Sequence, residues 1–138
     1  MSGSTFQIAF ASDLAGLERA TEATLQFVAQ HGIGPQAAYA VRLAIEEMAT
    51  NTMKYGYADN AAHQILLQVT IEPRQVVLVL EDDGREFNPW IVPPPQVEQG
   101  LAGRQPGGLG IHLVRRFAQD LGYERLNGRN RVVIRINS

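Results

Sequence analysis

Glu47 and Asn51 stand four residues apart in a stretch whose apolar residues, Val41, Ile45, Met48 and Thr52, recur at helical spacing. Residues so spaced share one face of a helix, one turn above the other. That face lies beside the apolar stripe, whereas Glu46 projects away towards water. A carboxamide oxygen at the rim of a core is a hard donor that suits Mg2+, which prefers oxygen ligands and keeps waters. A carboxylate one turn away can take a proton from a nucleophile or orient a water. Alone, the pair reads more readily as a polar helix edge with a solvated Glu.

A second candidate is Glu81-Asp82-Asp83-Gly84-Arg85-Glu86-Phe87-Asn88-Pro89, which closes the apolar run Val76 to Leu80. An Asp at a strand end can accept the exocyclic amine of adenine, a donor that guanine lacks at that position. Gly84 leaves room for a base to approach the backbone. An acidic turn without a ligand is the plainer reading. A third candidate is Pro106-Gly107-Gly108-Leu109-Gly110-Ile111, glycines that lead into an amphipathic stretch. The first N–H groups of a helix point outward unpaired, and the helix dipole favours an anion there. The Gly-Lys-Ser/Thr of a P-loop is absent, and the spacing does not match the dinucleotide fingerprint. Glycines that simply end a loop remain the alternative.

These residues need elements to hold them. Thr5 to Ala11 alternates, with Phe6, Ile8 and Phe10 on one side, which predicts a strand. Ser12 and Asp13 signal a helix start, and Leu14, Leu17, Thr21, Leu25 and Val28 extend the pattern to about Gln30. Gly32 and Gly34 end it. Pro35 suits the first turn of a second helix, expected to reach about Lys54 and stop at Gly56. Strands are expected over Gln64 to Glu72 and Gln75 to Asp82, joined through Pro73 and Arg74. A third helix is expected from Gly110 to Leu121, with Ile111, Val114, Ala118 and Leu121 on its apolar face. Strands over Tyr123 to Leu126 and Arg131 to Asn137 close the chain around the hairpin signal Asn127-Gly128. Hairpins and grouped helices point to an α+β fold: a two-layer sandwich whose mixed, mostly antiparallel sheet carries helices on one face. Residues 1–138 read as one domain. Within it, residues from about 88 to 107 are rich in Pro and Gly and read as a mobile lid.

Composition narrows the chemistry. The formal net charge of -2 gives no basic excess for neutralising nucleic-acid phosphates. The absence of cysteine removes disulfides, thiolate metal sites and a Cys nucleophile. The start, Met1 to Ser12, lacks the charged head and long apolar run of a signal peptide, so a cytoplasmic protein without membrane attachment is expected. His31, His63 and His112 are scattered without ligand spacing. Trp90 and Pro93-Pro94-Pro95 suit either partner docking or a stiff lid segment. The arginines near the C-terminus, Arg115 to Arg135, read mainly as solvated faces.

Taken in order, Glu-x-x-x-Asn on a helix, Asp-x-Gly after a strand, a long lid and Gly-x-Gly opening a helix resemble the GHKL ATPase superfamily with its Bergerat ATP-binding fold. The short length, Asp82-Asp83-Gly84-x-x-Phe87-Asn88-Pro89 and Gly107-Gly108-Leu109-Gly110-Ile111 look most like the anti-sigma-factor serine-protein kinases. The resemblance implies that ATP and Mg2+ are the cofactors. It implies that Asn51 coordinates Mg2+ and that Glu47 is the base for a substrate serine. Asp82 binds adenine on this reading, with Gly84 and Phe87 beside it and Lys54 and Tyr55 at the helix end. Gly107, Gly108, Leu109 and Gly110 are implied to meet the phosphates, with Arg104 of the lid acting on them. The implied partners are an anti-anti-sigma (STAS-type) protein, a sigma factor and a second copy of the chain. The sequence departs from the pattern at Tyr55, where many members carry His. It departs again at Glu86, which takes the place of a second glycine, and at Arg104, which lies two residues upstream of the expected arginine. A non-catalytic ATP-binding interaction module of the same fold is the alternative reading.

Overall fold

A computed structural model describes residues 4–57, 62–91 and 108–138, without the side chains of residues 108 and 109. The chain opens with strand β1 (Ser4–Ala11), followed by helices α1 (Leu14–Gln30) and α2 (Pro35–Asn51). Strands β2 (Gln64–Glu72) and β3 (Gln75–Asp82) follow, then helix α3 (Gly108–Phe117) and strands β4 (Asp120–Leu126) and β5 (Arg129–Asn137). The sheet has five strands in the order β1-β2-β3-β5-β4. Every pairing among them is antiparallel, so the expected mixed character is absent among the described residues.

Alternation along each strand sends one parity of side chains to the helices. Phe10 faces Ile65, Leu67 faces Leu80, and Leu80 faces Val132 across the ladders. These residues form one apolar core with Val41, Ala44, Ile45 and Met48 of α2 and Ile111 and Val114 of α3. Phe6 and Phe27 stack at 5.3 Å between ring centroids and tie α1 to β1. Asp13 caps α1 by accepting the Gly16 N–H at 2.7 Å. Leu14, expected on the inner stripe of α1, is 71% exposed; the inner positions belong to Leu17, Ala20, Thr21, Thr24 and Val28.

Two boundaries differ from the sequence expectation. Helix α2 proper ends at Asn51, and Thr52–Gly56 continues as a wider π-helical turn. Helix α3 starts at Gly108 and stops at Phe117, and Leu121 belongs to β4, where it pairs with Ile134. Sheet pairing has overridden the helical spacing there, and the Gln119 N–H already donates to the Arg135 carbonyl at 2.7 Å. The β4–β5 hairpin turns at Asn127 and Gly128, with φ of 53° and 75°, the left-handed pair that a tight two-residue hairpin turn requires.

Candidate functional site

Asn51 closes α2 and is 2% exposed. It and Asp82, the last residue of β3, line one pocket with Met48, Thr52, Gly56 and Leu80. Phe87, Pro89, Asn130 and Val132 complete the lining. The floor is therefore apolar, and its polar groups are carboxamide, hydroxyl and carboxylate. Among the described residues the Asn51 amide nitrogen is buried without a hydrogen-bond partner. A buried unpaired amide costs free energy, so this position is not optimised for stability.

Asp82 sits at the strand end for a local reason. Its Oδ1 accepts the Gly84 N–H at 2.8 Å, which turns the chain sharply after β3. Its Oδ2 lies 3.5 Å from the Thr52 hydroxyl, the donor. Gly84 packs on Gly56: a β-carbon there would collide with the Gly56 carbonyl. The sequence reading assigned the missing side chain to an approaching base, but the space is filled by the end of the π-helical turn. The contact is sealed by Arg85, whose N–H donates to the Gly56 carbonyl at 2.7 Å and whose Nε donates to the Tyr55 carbonyl at 2.6 Å. Tyr55 and Phe87 rings meet at 5.9 Å. The Asp82 turn and the end of α2 thus form one unit.

Glu47 lies one turn before Asn51. Its carboxylate rests on Gly110 in the first turn of α3, in the space that a β-carbon would occupy. Burial raises its pKa above the ordinary 4.5; Lys54 opposes the shift and Glu46 adds to it. Lys54 itself is exposed. Glu46 points away from the site and pairs with Arg42 at 3.7 Å. Gly108 and Leu109 contribute backbone to the first turn of α3. Gly107, Arg104 and most of the expected lid lie outside the described residues.

Two residues escaped the sequence reading. Asn130 of β5 is 3% exposed and donates from Nδ2 to Asp82 Oδ1 at 3.0 Å. Its signal was available: strand parity turns residues 130, 132, 134 and 136 inward, and Asn is the polar member of that row. Arg125, grouped with the solvated arginines, donates from Nη1 to the Gly84 carbonyl at 2.7 Å. Arg131 and Arg135 do pair at the surface, with Glu124 and with Glu72 and Asp120.

The Asn51 carboxamide is a hard oxygen donor, of the kind a cation that keeps waters and phosphate oxygens in its shell accepts. Among the described residues no group of three or more His, Cys, Asp or Glu side chains could hold a metal ion. Mg2+ at such a site takes few protein oxygens and fills its shell with water and phosphate. The Asn51 carboxamide, at the pocket wall and one turn from Glu47, fits that role.

Residues 10–136 match the histidine kinase-like ATPase domain family. The chain belongs to that family. A serine/threonine-protein kinase of Bordetella bronchiseptica, BtrW, is 27% identical over 100 residues, covering 72% of this chain and 70% of that protein. An anti-sigma F factor of Clostridium novyi is 24% identical over 131 residues, covering 90% of this chain and 87% of that protein. Membership in a histidine kinase-like ATPase domain family implies ATP binding. The described helices include none long and apolar enough to cross a membrane.

Proposed function

We propose that the chain is an ATP-dependent serine-protein kinase that acts as an anti-sigma factor and phosphorylates a serine of an anti-anti-sigma partner. One observation carries this reading. Asn51 and Asp82 line one pocket, while Glu47, on the helix that supplies Asn51, reaches the start of α3. This arrangement supports reading Asp82 as the purine reader, Asn51 as the metal ligand and Glu47 as the general base.

Asp82 accepts the adenine amine, against a wall of Leu80, Val132 and Phe87. Asn51 would hold Mg2+ through its carboxamide oxygen, and the ion would draw charge from the phosphates. The N–H groups at the start of α3, at Gly108, Leu109 and Gly110, would receive the anionic oxygens, with Gly107 assigned to the same role from the sequence. Glu47 accepts the proton of the attacking serine hydroxyl. Its raised pKa improves it as a base, because proton affinity closer to neutrality increases the driving force for transfer. Lys54 and Tyr55 flank the site, and Arg104 supplies positive charge to the transferring phosphoryl group. The names of the two relatives, a kinase and an anti-sigma factor, support both halves of the proposal. On this proposal, the protein works in the cytoplasm as a homodimer that exchanges a sigma factor for a STAS-type partner.

The test is incubation of the protein with gamma-labelled ATP, Mg2+ and candidate anti-anti-sigma partners. Label on a partner serine, lost with Glu47→Ala while ATP still binds, is the expected result. Exposed Glu86, in place of a second glycine, favours the other reading: an ATP-binding module whose nucleotide state selects partners without transfer. Nucleotide-dependent partner exchange with no label on any serine would decide for it.

A further inference from the structure

The Asn130 carboxamide has one permitted orientation. Its Oδ1 is approached by Tyr123 Oη at 2.6 Å, Arg125 Nη1 at 3.1 Å and the Phe87 N–H at 3.3 Å. An atom that receives an arginine and a backbone N–H must be the oxygen. The nitrogen is then turned the other way, where Nδ2 donates to Asp82 Oδ1 at 3.0 Å and to the Arg85 carbonyl at 2.8 Å. Asp82 Oδ1 thus serves two donors, the Gly84 N–H and Asn130. Among the described residues Asp82 Oδ2 has the long Thr52 contact alone, which leaves this oxygen for a ligand.

We propose that Asn130 positions Asp82 to distinguish 6-amino from 6-oxo purines, and that Tyr123 and Arg125, which do not line the pocket, set the orientation in which it does so. The proposal rests on the reading of Asp82 as the base-reading group. An ionised Oδ2 accepts an amine and repels an oxo group. With the carboxamide reversed, its oxygen would face the Asp82 carboxylate. Asp82 would then rotate, and its Oδ2 would no longer be presented to the 6-position of a bound base. Arg125 Nη1 and the Phe87 N–H guard against this because they can only donate, and the Tyr123 hydroxyl adds the shortest contact to the same oxygen. Arg125 acts at two points, on Asn130 and on the Gly84 carbonyl, so the same side chain fixes the turn that carries Asp82.

The experiment is calorimetric titration of the full chain with Mg-ATP and with Mg-ITP, whose base has a 6-oxo group. Wild type, Tyr123→Phe and Arg125→Gln are compared, with thermal melts of each in the absence of nucleotide. The wild type is expected to prefer ATP. Each variant is expected to narrow that preference by about five- to tenfold, the loss of one well-placed hydrogen bond. A merely structural role would weaken both nucleotides alike and leave the ratio unchanged, which overturns the proposal. Should Tyr123→Phe not fold, Arg125→Gln, altered at an exposed side chain, gives the same ratio to judge by. A wild type that binds no ATP removes the parent reading and this one together. A wild type that binds ATP, with folded variants of unaltered ratio, removes this one alone.

Discussion

The Glu47 carboxylate occupies the space beside Gly110 that any larger residue would fill. The base of the proposed reaction and the opening of α3 are therefore in direct contact. A similar closeness joins Gly84 to Gly56, but there the neighbour is a main-chain carbonyl. The two glycines should respond differently to the same substitution.

Gly110→Ala pushes away a flexible side chain, from its carboxylate back to Cγ. In the first turn of α3 the gain over glycine is less than the roughly 1 kcal/mol of a helix interior, so melting temperature should change little. Serine phosphorylation should fall by about 100-fold, the scale of a displaced catalytic group. Gly84→Ala must move backbone and should cost about 1–3 kcal/mol of stability. Equal losses of stability in the two variants, read by thermal or urea melts, would show the assignment of these contacts to be wrong.

Glu47→Gln should abolish the base while sparing ATP affinity, reducing transfer by about 10²–10⁴-fold. In the wild type, transfer should rise with pH and level off above the ordinary Glu value of 4.5, because burial shifts Glu47 upward. Stability carries the opposite sign. A raised pKa means that the folded chain binds this proton more tightly than the unfolded one. Its contribution is present below 4.5 and is lost as pH rises through the raised folded value. Chemical melts over that window should be flatter for Glu47→Gln than for wild type. An identical pH slope in the two proteins contradicts this account.

Asp82→Asn should lose more than base recognition. The new amide can no longer offer a charged acceptor to both the Gly84 N–H and Asn130 Nδ2. If its oxygen keeps those two donors, its nitrogen meets the Thr52 hydroxyl and the pocket; if it reverses, two amide groups collide. A loss of about 1–3 kcal/mol follows from an unpaired buried donor, together with loss of ATP binding by calorimetry. Full stability would mean that the Asp82–Asn130 pair is looser than its 3.0 Å separation indicates.

Much of this site was readable in the chain because the carrying signals are local. Strand alternation, the Pro35 helix start and the Asn127-Gly128 turn lie within a few residues of the features they set. Helical spacing alone was enough to place Glu47 beside Asn51 and Glu46 away from it. What escaped depends on pairing between distant segments. Leu121 has the spacing of a helix face, yet its partner Ile134 draws it into β4. The π-helical turn after Asn51 is closed by Arg85 and Gly84, some thirty residues onward. Asn130 meets Asp82 only because β3 and β5 are neighbours in register, with Asp82 opposite Asn130. Even so, a polar residue on the inward row of an otherwise apolar strand was a visible sign that something buried needed it.

Asn51 offers the sharpest separation of stability from function. Its amide nitrogen is buried and, among the described residues, unpaired, a condition that opposes folding. Leucine is close in shape and has no polar group to strand. Asn51→Leu should therefore stabilise the nucleotide-free protein, on the order of 1 kcal/mol, as replacements at functional sites often do. The same change removes the proposed ligand for Mg2+, so added Mg-ATP should no longer raise the melting temperature. A stabilised variant deaf to Mg-ATP is the expected pair of results. A variant that melts lower and still responds to Mg-ATP would mean that Asn51 is held in the pocket wall for packing, and that the metal is bound elsewhere.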